Sequence, residues 1–279
     1  MRTDAVDMEE NRTRMGHPLS RGCFAHLSYH SQSGLTYVSG RSRCSHHPHQ
    51  MIRHHLDDLR DPRDRIRAIT LDVAGVLVRP DHALVLPDVR PGEDWDAVFF
   101  GVRVRQDSRY DEVPWGSVAA TVGTTVARVR DYVQRFHAVH ASPKIWRAAP
   151  GAAIFLRQLR AAGIPVAAIS NTLRPMAFEV LERTGLIGSE GLAADLIFDS
   201  SVVGIAKPDP RLFHAAFDRL GVPAAEVAHI GDSLDDDVEG AVGAGAVGVH
   251  MQPFGACGIA GHVDIVRFSD VDLMGGREG

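Results

Sequence analysis

The sequence predicts an α/β fold: a doubly wound parallel sheet carrying a small helical cap. Three observations predict it. Short apolar runs of strand length alternate with segments of helical period from Ile66 to Met251. These runs are mostly apolar instead of strictly alternating, as strands covered on both faces are. One interval, from about Pro80 to Ala149, breaks the alternation and has the size of an inserted unit.

The elements follow in order. Ile66–Asp72 (IRAITLD) is a short apolar strand ending in an acid. Ala152–Arg160 reads as a helix through Phe155, Leu156 and Leu159, and Gly163 ends it. Ile164–Ser170 is a second buried strand, and Pro175–Arg183 a helix stopping near Gly185. Asp195–Phe198 is a short strand, and Val202–Ala206 an apolar run of strand type before Lys207. Pro210–Leu220 is a helix closed by Gly221, Val227–Gly231 a strand, Asp236–Val242 a helix and Val247–Met251 a strand. Inside the insertion, Pro87–Glu93 is loop-like. Thr124–His140 is helical, with Val126, Val129, Tyr132, Val133 and Phe136 near one face. An insertion directly after the first strand is expected over the carboxyl ends of the strands, where open α/β sheets bind ligands.

Residues 66–79 and 150–270 are thus assigned to the core, 80–149 to the cap, and 1–65 to an extension. The extension is rich in His, Arg, Ser and Gly and has no sustained apolar period, so it is expected to be disordered. Eight of the 15 histidines fall there, including His46, His47, His49, His54 and His55. No carboxylate or cysteine pattern completes a metal site around them.

Composition narrows the function classes. A 44% hydrophobic, 23% charged chain of 279 residues can bury a sizeable core. A net charge of −5 gives no reason to expect a nucleic acid or membrane surface as partner. No apolar run approaches the roughly 20 residues that span a bilayer, and the N-terminus lacks a signal-peptide core. Cys23, Cys44 and Cys257 are odd in number and far apart, which suggests neither a disulfide framework nor a C-x-x-C site. A cytoplasmic location is the expectation.

Four polar signatures follow strand-like runs: Asp72, Ser170-Asn171, Lys207-Pro208, and Gly231-Asp232 through Asp237. Each alone has a commonplace explanation, as a helix cap, a turn former or a solvated loop residue. Together, at one edge of a parallel sheet, they make a crevice suited to phosphoryl transfer. A carboxylate such as Asp72 can attack phosphorus as a nucleophile. Asp72, Asp232 and Asp237 offer the hard oxygens that Mg²⁺ prefers. Lys207 supplies fixed positive charge, and the Ser170 hydroxyl can donate to phosphate oxygens.

In this order the residues resemble the four motifs of the haloacid dehalogenase (HAD) superfamily, over about residues 66–265. Asp72-Val73-Ala74-Gly75-Val76 is similar to its first motif, Ser170-Asn171 to its second, Lys207-Pro208-Asp209 to its third, and Gly231-Asp232 through Asp237 to its fourth. The resemblance implies a Rossmann-like core with a C1-type helical cap and a Mg²⁺-dependent hydrolase acting on a small phosphorylated, anionic substrate. It implies Asp72 as nucleophile and Lys207 as its catalytic partner. Ser170, Asn171 and Lys207 would bind phosphate, and Asp72, the Ala74 backbone carbonyl, Asp232 and Asp237 would hold the metal.

One position departs from the family's phosphatase pattern. Where phosphatases of the family carry a second acid, this chain has Ala74. A methyl group cannot protonate a leaving group, and losing that help costs about 10²–10⁴-fold. Four readings stay open: a phosphatase of weakened turnover, a haloacid dehalogenase, a phosphonatase-like C–P hydrolase, or a family member that acts by binding. Dehalogenases usually lose the fourth-motif acids, whereas Asp232 and Asp237 are present. C–P cleavage needs a cap lysine, and the only lysine besides Lys207 is Lys144, at the cap's far end. Asp81, His82 and Asp111 are candidate substitute acids, with solvated loop positions as the default. His229 is expected to pack behind the fourth motif, with tuning of the metal site through a hydrogen bond to one of its ligands as the alternative. His137 and His140 are expected at the surface. Trp95, Phe99, Phe100, Trp115 and Trp146 are expected to pack the cap's interior.

Overall fold

A computed structural model describes residues 54–55, 66–101, 115–252 and 262–272. Six parallel strands form the central sheet: β1 (Ala68–Asp72), β4 (Val166–Ser170), β5 (Ile197–Asp199), β6 (Val227–Gly231), β7 (Val247–Met251) and β8 (Val263–Ile265). Their spatial order is β5-β4-β1-β6-β7-β8, so the chain reverses its direction of travel across the sheet at β1. Two further strands, β2 (Val78–Pro80) and β3 (Trp146–Ala148), form a separate antiparallel pair. His54–His55 pairs in parallel with Val271–Asp272.

Alternate residues of the central strands serve two cores, because successive side chains point to opposite faces. Ile69, Leu71, Ala168, Ala228 and Ile230 pack with Phe155, Leu156 and Leu159 of α5 (Ala152–Ala161) and with Val180 and Leu181 of α6 (Ala177–Arg183). On the opposite face Ala68, Ala167, Ile169 and Val227 pack with Leu212, Phe213, Ala216 and Phe217 of α8 (Pro210–Leu220). Layers on both faces explain why β1, β6 and β7 are buried along their full length. This is the Rossmann-like α/β sheet that the apolar runs predict.

Between β2 and β3 the chain builds a cluster of its own. It draws on α1 (His82–Val85), α2 (Asp96–Gly101), α3 (Trp115–Val122) and α4 (Val126–Val139). Trp95, Val98, Val122, Val129, Tyr132, Val133 and Phe136 are its buried members. Trp95 stacks on Tyr132 with centroids 4.6 Å apart. Phe99, Trp115 and Trp146 pack against the cluster, and the Arg79 guanidinium lies over the Phe100 ring, 5.0 Å from its centroid. Thr125 caps α4 by accepting from Arg128 N.

Several expected elements are corrected. Val202–Ala206 is not a strand: Asp199 caps a short helix, α7 (Ser200–Val203), which Gly204 ends at φ 76°. The cap and the left-handed glycine override the β preference of Val202 and Val203. Lys207 therefore leaves a loop rather than a strand end. The strand expected at Asp195–Phe198 lies at Ile197–Asp199, after a helical turn at Ala194–Leu196. The helix expected at Asp236–Val242 is a widened turn, Leu234–Glu239, running into α9 (Gly240–Gly243). Val238 N donates to Ser233 O five residues back, at 3.0 Å, which is the wide-turn spacing. Strand β8 was not expected. Its three residues carry too little pattern beside the central strands.

Candidate functional site

Parallel pairing brings the chemistry to one edge. In the β1–β4 register Asp72 faces Ile169, so Ser170 lies one residue beyond it. In the β1–β6 register Leu71 faces Ile230, so Gly231-Asp232 lies level with and just past Asp72. Asp72, Ser170, Lys207 and Asp237 are all buried, at 6%, 3%, 5% and 1% exposure, although three of them are ordinarily charged. Charged groups are seldom buried without partners.

Lys207 Nζ answers that cost. It donates to Asp72 Oδ1 at 2.5 Å, to Asp237 Oδ1 at 2.6 Å and to the Ile169 carbonyl at 3.1 Å. All three ammonium protons are accounted for. Asp237 also accepts from Ser233 N at 2.9 Å through Oδ2, and lies 3.2 Å from His229 Nε2 through Oδ1. One carboxylate oxygen of each of Asp72, Asp232 and Asp237 lies within 4.8 Å of the other two.

Burial sets the charges apart. It pushes the Asp72 carboxyl up, and the Asp237 charge adds to the push. Lys207 offsets only part of it, leaving Asp72 at about 6. Burial also opposes ionisation of Asp237, yet the Lys207 ammonium and the His229 hydrogen bond hold that carboxyl well below the usual range. For Lys207 burial acts downward, and Asp237 and Asp72 together hold the ammonium above its ordinary value. Near neutral pH the Asp72–Lys207–Asp237 group then carries one net negative charge, and Asp232 lies beside it. Three carboxylates facing one ammonium form a hard-oxygen donor set with unbalanced charge, which fits a divalent cation such as Mg²⁺.

Two glycines make the approach possible. Gly75 has φ 102°, and a Cβ there would collide with the Asp232 carboxylate. A Cβ at Gly231 would run into the side chain of Asp237. Ala74 is half-buried and offers only its methyl and backbone.

Asn171, expected to bind phosphate, has its amide on the Lys207 main chain. Its Oδ1 accepts from Lys207 N at 2.8 Å and its Nδ2 donates to Lys207 O at 2.9 Å. Both ends of the amide are used, so Asn171 holds the lysine loop against the end of β4. His229 does more than pack behind the motif. It is fully buried, with Nδ1 2.9 Å from Thr70 Oγ1 and Nε2 on Asp237. Burial pushes this imidazole down, toward the neutral form. An ionised Asp237 requires Nε2 to carry the proton, so Nδ1 accepts from the Thr70 hydroxyl.

His82 is not a solvated loop residue. It lies in α1, with Nδ1 2.7 Å from Tyr132 Oη and Nε2 2.7 Å from Asp96 Oδ1. Asp81 caps α1 by accepting from Ala83 N at 3.2 Å. Asp111 and the three cysteines lie outside the described residues, as do residues 1–53 of the extension. His137 and His140 are half-buried rather than at the surface, and His140 Nδ1 lies 2.9 Å from the His137 carbonyl.

Asp199 was missed by sequence reasoning. Its carboxylate accepts from Met176 N at 3.1 Å, Ala177 N at 2.9 Å and Ser201 N at 2.9 Å, and also from the Thr172 hydroxyl. It ties the start of α6 and the loop after Ser170-Asn171 to the end of β5. An acid ending a short apolar segment was the available signal, the same one that marked Asp72.

No described helix is long and apolar enough to cross a membrane. Comparison with known proteins agrees with this architecture. A dehalogenase crystal structure superposes with a TM-score of 0.51 at 22% identity, covering 74% of this chain and 96% of that one. The chain is 39% identical over 110 residues to haloacid dehalogenase-like hydrolase domain-containing protein 3 of Bos taurus, a match covering 39% of this chain and only 41% of that protein. It is 28% identical over 205 residues to a phosphoglycolate phosphatase of Pectobacterium atrosepticum, covering 67% of this chain and 80% of that protein. Residues 66–245 match the haloacid dehalogenase-like hydrolase family. With the six-stranded parallel sheet and the acid cluster at its edge, that match means that the chain belongs to the haloacid dehalogenase-like hydrolases.

Proposed function

We propose that the protein is a Mg²⁺-dependent phosphatase that transfers a phosphoryl group from a small substrate to Asp72. One observation carries the reading: the Lys207 ammonium bridges Asp72 and Asp237 while Asp232 lies within 4.8 Å of both. Asp72, Asp232, Asp237 and the Ala74 carbonyl would hold Mg²⁺. The bound ion supplies charge neutralisation between an anionic nucleophile and an anionic phosphate.

The residues of the chain divide the remaining work. Lys207 keeps Asp72 ionised despite its burial and faces the phosphate oxygens. The Ser170 hydroxyl orients the phosphate, and Asn171 holds Lys207 in position. An Asp72 oxygen attacks phosphorus and the leaving oxygen departs, giving an aspartyl-phosphate. Water then attacks phosphorus and restores the Asp72 carboxylate. The segment 80–149 would act as a cap that admits and encloses the substrate. The phosphatase names of relatives such as the Pectobacterium atrosepticum protein support a phosphorylated substrate.

Ala74 shapes substrate choice. Its methyl cannot protonate a departing alkoxide, and His82, one of the sequence candidates for that task, is engaged with Tyr132 and Asp96. The site is thus suited to leaving groups that depart without a proton, such as acyl or aryl phosphates. The test is Mg²⁺-dependent phosphate release from acetyl phosphate and p-nitrophenyl phosphate, beside Asp72→Asn. Release from acetyl phosphate that Asp72→Asn abolishes supports the reading. Equal rates for both proteins, or chloride release from 2-chloropropionate without metal, would overturn it.

A further inference from the structure

A second ligand constellation lies outside the three-carboxylate centre. His250 belongs to β7 and Asp264 to β8, and the two are direct partners in the parallel register. Register partners project to the same face, and His262, two residues before Asp264, shares it. His250 Nδ1 lies 3.0 Å from Asp264 Oδ1, and His262 Nε2 lies 3.2 Å from the same oxygen. One ligand atom from each residue falls within 4.8 Å of the other two. The side chains are 5%, 4% and 17% exposed.

The hydrogen bond behind His250 decides what can sit in front of it. Its Nε2 lies 3.2 Å from the Asp232 carbonyl oxygen, which can only accept. Nε2 therefore carries a proton, and in a neutral ring Nδ1 presents a lone pair to the Asp264 carboxylate. Two acceptors at 3.0 Å need a proton or a cation between them. A metal bound at about 2.0–2.1 Å by imidazole and carboxylate in tetrahedral geometry sets its ligand atoms about 3.3 Å apart. The observed 3.0 and 3.2 Å lie close to that spacing. A ligating histidine whose other nitrogen donates to a backbone carbonyl is the usual outer-shell arrangement of such sites. Two imidazoles and one carboxylate select a first-row transition ion over Mg²⁺.

We propose that His250, His262 and Asp264 form a binding site for a transition metal ion, Zn²⁺ foremost, separate from the carboxylates of the reaction centre. Three protein ligands leave a fourth position for water or another donor. The site does not depend on the phosphatase reading and stands or falls alone.

Co²⁺ serves as a visible stand-in for Zn²⁺. Untagged full-length protein, stripped with chelator and held in excess Mg²⁺, is titrated with Co²⁺ and followed by its ligand-field absorption. The expected result is one equivalent of Co²⁺ with a strong visible band of low-coordinate type, displaced by one equivalent of Zn²⁺. His262→Ala and Asp264→Asn should each weaken binding by about 100-fold or more, with folding checked by circular dichroism. Asp232→Asn should retain the band. The N-terminal tract is a rival source of imidazole, so a variant with His46, His47, His49, His54 and His55 changed to Ala should also retain it. Absence of the band, its survival in both His262→Ala and Asp264→Asn, or its loss in the N-terminal variant would overturn the proposal. The first of these outcomes would assign the His250–Asp264 contact to a shared proton.

Discussion

The ammonium of Lys207 donates to Asp72 at 2.5 Å across 135 residues of chain and, at 2.6 Å, to Asp237. Both carboxylates are buried. The lysine thus links the fold and the proposed chemistry, and several consequences can be measured.

Asn171 holds Lys207 by its main chain alone. Asn171→Ala should cost about 1–2 kcal/mol of stability, the net worth of two such bonds. Turnover should suffer more than stability, falling by about 10–10²-fold, because small misplacements of a catalytic group are costly. Thermal melts and steady-state kinetics on acetyl phosphate would separate the two effects.

Ala74→Asp places a carboxyl where a leaving group would depart. On substrates with poor leaving groups, such as alkyl phosphates, kcat/KM should rise, with an upper bound of about 10²–10⁴-fold. Acetyl phosphate, which needs no proton, should respond little. A rise of the same size on both substrates would show that the added acid acts in some other way.

Gly75→Ala should disturb the approach of Asp232. The left-handed backbone costs about 1–3 kcal/mol for a residue with a side chain, and the added methyl meets the Asp232 carboxylate. The Mg²⁺ concentration for half-maximal activity should increase at least about tenfold, read from metal titrations of rate.

Glu93 gives the inserted unit its own pH dependence. It accepts from Arg90 N at 2.8 Å, Trp95 Nε1 at 3.1 Å and Arg128 Nε at 3.1 Å. Burial acts against its ionisation, but these donors hold the carboxyl down at about 2, from an ordinary value of 4.5. A depressed carboxylate contributes stability that is fully present above 4.5 and is lost as pH falls through about 2. Glu93→Gln should remove that acid limb and cost about 1–3 kcal/mol at neutral pH. Melts of both proteins across the same pH range would show the limb in one and a flatter profile in the other.

Much of this was legible in the chain because the buried strands are mostly apolar and several end in polar residues. Asp72, Ser170 and Gly231-Asp232 could be placed at one edge from periodicity alone. Lys207 was placed there by a mistaken route, since the Val202–Val203 run forms a capped helix and not a strand. The cap on Asp199 and the left-handed Gly204 decide that element, and neither stands out in a period count. Asn171, His229 and His82 were harder to read because their roles depend on partners 36, 8 and 50 residues away. A lone polar residue does not announce which distant backbone or hydroxyl it will meet. The His250–Asp264 pairing was hidden for the same reason, its partner lying on a three-residue strand.

The most direct test of the central claim is chemical trapping at position 72. Enzyme quenched in acid during Mg²⁺-dependent turnover of acetyl phosphate is reduced with borohydride, which converts an aspartyl-phosphate to homoserine, and its peptides are read by mass spectrometry. The account predicts homoserine at position 72, dependent on substrate and Mg²⁺ and reduced in yield by Asn171→Ala. Hydrolysis that proceeds with Asp72 unmodified, or homoserine at a different aspartate, would contradict it.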